Sequence, residues 1–158
     1  MDAAKLAFID ARRDELILLA RLLLVALFVV FGWSKLTNFS GTIGYMASVG
    51  APLPTVAAIV AVVMELFVGI LIAVGFYTRP LAALLALYTL GTALIGHRFW
   101  AMHDGERLAS MIDFYKNISI IGGLLLLSLS GPGRYSLDRL ALMMRHKFKQ
   151  IGAVPGDG

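Results

Sequence analysis

Six side chains in this 158-residue chain have types that do chemistry and positions that apolar residues would normally fill: Arg21, Lys35, Glu65, His97, Lys116 and Asn117. Glu65 is the single charge in TVAAIVAVVMELFVGILIAVGF and stands eleventh of its 22 residues. A carboxylate so placed must pair, accept hydrogen bonds or carry a proton, since an ionised group at the centre of a bilayer costs about 2.5–3.5 kcal/mol on insertion scales. Lys donates hydrogen bonds, Asn donates and accepts, and His does either near neutral pH. The set suits recognition of a polar group, proton movement, or ion pairing between helices. Thiol, disulfide and iron–sulfur chemistry are excluded, because the chain has no cysteine. No metal-ligand spacing is present, so no metal site is expected. Haem of the b type needs two facing histidines, and only His97 lies within a span. His103, in a polar stretch, and His146, in a basic run, read as solvated.

The elements that must position these groups follow from composition. Hydrophobic residues make up 59% of the chain and charged residues 15%, well below the ~25% charge of a soluble domain. Four apolar runs, about 16–36, 55–76, 80–100 and 113–131, each approach the ~20 residues that cross the hydrocarbon core. Helix is the conformation that satisfies its own backbone there. The expected fold is therefore an all-α membrane protein, a four-transmembrane-helix antiparallel bundle. Residues 1–15 form an N-terminal segment, 16–131 the membrane domain and 132–158 a basic C-terminal tail. The first run lacks a small-x-small cleavage site and is expected to be retained. Proline and glycine mark the connections. GAPLP precedes the second span, a tight Tyr77-Thr78-Arg79-Pro80 link joins spans two and three, HDGERLAS forms a polar third connection, and Gly131-Pro132-Gly133 ends the fourth span. Pro80 suits a first helical position.

Orientation follows from Lys and Arg. With the N-terminus inside, nine fall on the cytoplasmic side (Lys5, Arg12, Arg13, Arg79, Arg134, Arg139, Arg145, Lys147, Lys149) and four outside (Lys35, Arg98, Arg107, Lys116). That bias places both termini in the cytoplasm. It also explains the net charge of +4 without nucleic acid as a partner. Trp33 and Trp100 then fall at the outer interface, where they read as anchors. The stretch LDRLALMMRHKFKQ alternates apolar and basic residues, as a helix lying on an anionic leaflet would. Residues 152–158 are expected to be disordered.

Helical spacing groups the polar side chains. Arg21, Phe28, Gly32 and Lys35 share one face, and Ala57, Ala61, Glu65, Gly69 and Ala73 form a small-residue stripe that lets another helix approach. Arg21 either snorkels to the near surface or faces the bundle. Lys35, His97, Lys116 and Asn117 come to one end with Glu65 beneath them. Lys116 is the first expected partner of Glu65, and Arg21 the second. The expected result is a cavity bordered by Glu65, His97, Lys116 and Asn117, with Lys35 or Trp33 near its mouth. An interhelical salt bridge that only holds the bundle together is the competing reading of Glu65.

Three runs now carry a resemblance: RLLLVALFVVFGWSKL, ELFVGILIAVGFYTR, and KNISIIGGLLLL with the closing GPGRYSLDR. Together they resemble the DoxX family of small bacterial membrane proteins over roughly residues 16–140. The matching positions are Arg21, Gly32, Lys35, Leu36, Glu65, Gly69, Gly75, His97, Lys116 and Asn117, with Asp138 in the closing run. The resemblance implies a bacterial inner-membrane location. It also implies a link to quinone-dependent oxidation of sulfur compounds or to membrane oxidoreductase assemblies. The expected function is thus a subunit that binds an amphiphilic ligand such as a quinone, with no cofactor held within the chain, and that works with a redox partner protein. Arg21 is expected to be structural or proton-linked. A small-molecule or lipid carrier and a non-catalytic assembly subunit are the alternatives, and self-association stays open beside contact with the bilayer.

Overall fold

A computed structural model describes residues 11–151; residues 1–10 and the tail 152–158, expected to be disordered, lie outside the described residues. Four helices are long and apolar enough to cross a membrane. They are α1 (Arg13–Thr37), α3 (Pro54–Val74), α4 (Thr78–Gly96) and α5 (Asp104–Ser130), joined by a short α2 (Phe39–Ser48) and followed by α6 (Leu137–Ile151). At ~1.5 Å per residue, the 21 residues of α3 span about 30 Å, the thickness of the hydrocarbon. The chain folds as the antiparallel four-helix membrane bundle that its apolar runs require.

The packing has the polarity of a protein dissolved in lipid. Leu23, Leu87, Leu126 and Leu129 point outward and are exposed, a large cost in water and none against acyl chains. Inside lie Val25, Phe28, Met64, Ile72, Leu85 and Leu124. The spans pair as α1 with α3 and α4 with α5. The α1–α3 crossing centres on Gly32. A Cβ there would lie 2.5 Å from the Leu66 backbone nitrogen and 2.9 Å from the Glu65 carbonyl carbon. Ala61, Glu65 and Gly69 are buried on the facing side of α3, while Ala57 and Ala73 are half-buried.

The polar stretch expected to be the third connection departs from a loop. α5 starts at Asp104 and takes most of it into its first turns. A helix emerges from hydrocarbon wherever its residues suit its end, and Glu106 in the first turn favours an N-terminus. α4 likewise starts before Pro80, at Thr78; the missing proline N–H costs nothing within a first turn.

The end that carries both termini is locked. α3 closes on Gly75 (φ 73°), with Gly75 N–H donating to Ile72 O and Phe76 N–H to Leu71 O, a Schellman arrangement. The chain after α5 returns to this corner. Asp138 accepts hydrogen bonds from Tyr77 N–H (2.8 Å) and Thr78 N–H (3.1 Å) through its two carboxylate oxygens, and its own N–H donates to Gly75 O. Tyr77 has φ 46°, a left-handed conformation that costs a non-glycine residue about 1–3 kcal/mol and needs such a clamp. Asp14 adds a further tie by accepting from Arg134 N–H at 2.9 Å.

The Gly32 crossing yields a stability prediction. Gly32→Ala should destabilise the bundle by about 1–3 kcal/mol, the ordinary range for overpacking, because both clashing atoms are backbone. Gly122→Ala, where an added Cβ meets nothing within 4 Å, should cost nothing. Thermal unfolding in detergent compares them, and equal midpoints would remove Gly32 from its place as the tight crossing.

Candidate functional site

Glu65 sits in a local irregularity. Val63–Val68 is a π-helical turn inside α3, and such turns, rare in helices, are frequent at functional sites. Glu65 is 8% exposed, and its carboxylate is held from two sides. Lys35 Nζ donates to Oε2 at 2.6 Å, and the Tyr88 hydroxyl donates to Oε1 at 2.7 Å. The partner is thus Lys35, not Lys116 or Arg21. Gly32 explains the choice: α1 passes so close that Lys35, less than one turn further on, reaches the carboxylate. Tyr88, from α4, was not singled out by its sequence. Its signal was a hydroxyl midway along a span, away from both interfaces where tyrosines usually lie.

Lys116 is occupied otherwise, donating to Asp113 Oδ1 at 2.6 Å with nearly half of its side chain exposed. The i,i+3 spacing of Asp113 and Lys116 could have revealed this pair. His97 Nδ1 lies 4.0 Å from the other Asp113 oxygen. Arg21 belongs to the opposite end. It is 2% exposed rather than snorkelling, and its guanidinium donates to the carbonyls of Pro132 (2.6 Å) and Tyr135 (2.7 Å). Roughly 20 Å of helix separates it from Lys35.

The remaining groups surround one cavity of about 900 Å³, at the upper end of the ~300–1,000 Å³ typical of small-molecule sites. Glu65, Lys35, His97, Lys116 and Asn117 all line it, so α1, α3, α4 and α5 each contribute. Trp33 does not; it points outward at 59% exposure. The walls are otherwise mainly apolar or aromatic, including Phe28, Phe31, Met46, Val60 and Ile95. The short helix α2, absent from the expected elements, closes one side with Thr42 and Tyr45. Asn38 begins it by accepting from Gly41 N–H at 3.3 Å, and an asparagine before an apolar run was the sequence signal available. Asn117 is almost buried, yet among the described residues its amide has no hydrogen-bond partner. With His97, it can bond to whatever fills the cavity.

Fold and site together define a small multi-pass membrane protein with a cavity that reaches an ion pair in mid-span. A family model for DoxX matches residues 16–98, a stretch containing Arg21, Lys35, Glu65 and His97. The chain is 54% identical over 129 residues to the inner membrane protein YphA of Escherichia coli K12, covering 82% of this chain and 92% of that protein. It is 42% identical over 130 residues to the inner membrane protein YqjF of the same strain, covering 80% and 92%. A weaker similarity, 26% over 129 residues, links 82% of the chain to 34% of the ER-derived vesicles protein ERV29 of Saccharomyces cerevisiae. No solved structure is a significant match. The chain belongs to the DoxX family.

The Lys35–Glu65 pair predicts a non-additive pattern. Removing one member of a buried pair strands the other, typically at about 3–5 kcal/mol. Glu65→Leu should fall near the low end, about 3 kcal/mol, because the Lys35 side chain keeps 22% exposure. Glu65→Leu combined with Lys35→Met should recover most of that loss, whereas Glu65→Leu with Lys116→Met should not. Unfolding midpoints of the three variants decide it; rescue by the Lys116 change alone would contradict the pairing.

Proposed function

We propose that the protein is a DoxX-family subunit of the bacterial inner membrane that binds an amphiphilic ligand of quinone type and works with a redox partner. One observation carries this reading. The ~900 Å³ cavity combines apolar walls with polar groups from four spans, and its deep end is the Glu65 carboxylate. A ligand with a carbonyl-bearing head and an apolar tail matches that distribution. His97, Asn117 and Lys35 can donate hydrogen bonds to carbonyl oxygens. Glu65, held by Lys35 and Tyr88, fixes the Lys35 ammonium at the deep end of the cavity. Electrons would come from the partner, since the chain has no thiol. The names of the two Escherichia coli relatives support the inner membrane as location.

The reading is tested by binding. Purified protein titrated with a short-tailed ubiquinone should quench tryptophan or tyrosine fluorescence saturably. His97→Ala should weaken that binding about tenfold while the unfolding midpoint stays within a degree or two, because the imidazole makes no close bond within the bundle. A lowered midpoint with unchanged binding would assign these side chains to assembly instead. Proton-coupled uptake of a small molecule into liposomes, without quinone binding, would favour the carrier reading.

Both termini and the Arg79 link are proposed to face the cytoplasm, on the nine-to-four distribution of basic residues. Single cysteines at Tyr77 and Gly105, both exposed, report this in a chain with none of its own. Impermeant thiol reagents applied to intact cells should label Gly105→Cys and spare Tyr77→Cys; the opposite pattern inverts the protein.

A further inference from the structure

A second hollow, of about 450 Å³, lies at the end that carries the termini, far from Glu65. Arg79, Arg139, Tyr77, Pro80, Pro132 and Leu142 border it. Asp138 also borders it, but both of its oxygens are engaged by backbone N–H groups of the α3–α4 link. Among the described residues, neither Arg79 nor Arg139 has an ion-pair partner or a side-chain hydrogen bond. Two unpaired guanidinium groups beside a hollow with apolar walls suit an anion that carries hydrocarbon.

α6 gives a second, independent indication. It begins at this hollow, tied to the bundle by Asp138. Beyond that corner it forms no helix–helix interface with any span among the described residues. Leu137, Leu140, Ala141 and Met144 fall on one face by their spacing and are exposed. Arg145 and Lys147 flank them, while Arg139 and Leu142 lie on the other side of the helix, at the hollow. An uncovered apolar face edged with basic residues, starting where the spans leave the bilayer, complements an anionic leaflet in both polarity and charge.

We propose that the hollow at the α6 junction binds the phosphate of an anionic phospholipid through Arg79 and Arg139, with α6 lying along the leaflet that supplies it. Arg79 comes from the link between α3 and α4 and Arg139 from the first turn of α6. The bound headgroup therefore bridges the bundle and its surface helix. Arg145 and Lys147 add attraction for the leaflet at large, while the hollow selects a single molecule.

Native mass spectrometry of the full chain in detergent, titrated with phosphatidylglycerol or phosphatidylcholine, tests the proposal. One phosphatidylglycerol should bind with preference over phosphatidylcholine. Arg79→Gln with Arg139→Gln should weaken it by roughly 30-fold, as expected for two basic contacts to an anionic lipid. Arg79→Lys with Arg139→Lys should restore most of the affinity, and Lys147→Gln should leave the one-to-one adduct in place. Equal affinity for phosphatidylcholine, or an unchanged adduct in the double Gln variant, overturns the site. Inorganic phosphate that displaces phosphatidylglycerol at equal concentration would show a free-anion site instead and overturn the lipid assignment. Recovery of the adduct by the Lys variant guards against a folding defect in the Gln variant.

Discussion

A carboxylate halfway through a bilayer has no water to fall back on, and the rest of this structure is arranged around that fact. Glu65 stays satisfied only because Lys35 and Tyr88 arrive from two other helices, each with a hydrogen bond shorter than 3 Å. Lys35 arrives because Gly32 lets α1 run against the backbone of α3. The π-helical turn adds a residue to the local winding, so it changes which side chains of α3 meet that crossing. One close approach, one irregular turn and one tyrosine thus support a single charge, and each costs something in an ordinary helical bundle. A bundle selected for packing alone would use small and apolar residues at these places.

The two ends of the molecule spend their polar groups differently. At the terminus-bearing end, Arg21, Asp14 and Asp138 are directed at backbone. They fix the returning chain to the ends of α1, α3 and α4. An arginine that donates to two carbonyls and an aspartate that accepts from two amides leave little charge to offer a ligand. At the opposite end, Lys35, His97, Lys116 and Asn117 surround space rather than backbone. The contrast places the ties between chain segments and the larger cavity in different halves of one small bundle, with Glu65 between them.

What the sequence made legible was what depends on counting along a helix. Span length, the depth of Glu65, the shared face of Arg21, Phe28, Gly32 and Lys35, and the meeting of four spans near His97 all follow from 1.5 Å of rise and 3.6 residues per turn. Pairing did not follow. Whether Lys35 or Lys116 reaches Glu65 depends on helix separation at Gly32 and on the winding of Val63–Val68, and nothing in VMELFV announces a π turn. Which of the two readings of Arg21 holds was not legible, because its acceptors, Pro132 and Tyr135, lie over a hundred residues away and are backbone oxygens. Tyr88 escaped notice because tyrosine is expected at interfaces. Trp33 points away from the cavity, so its place near the mouth did not follow from span position either.

The choice between structural knot and binding site turns on which groups remain unsatisfied. Glu65 by itself supports either view, because Lys35 and Tyr88 engage both of its oxygens. Asn117 tips the balance. Its amide lines the cavity with no hydrogen-bond partner among the described residues and is left open to whatever fills that space, so it adds no tie between helices. His97 stands beside it, too far from Asp113 for a strong bond. A cavity of several hundred cubic ångströms between them removes still more contacts from the bundle. Groups whose hydrogen bonds are completed by neighbours can be explained by stability. Asn117, His97 and the space between them complete no such bond within the bundle, and the binding reading proposed above rests on that contrast.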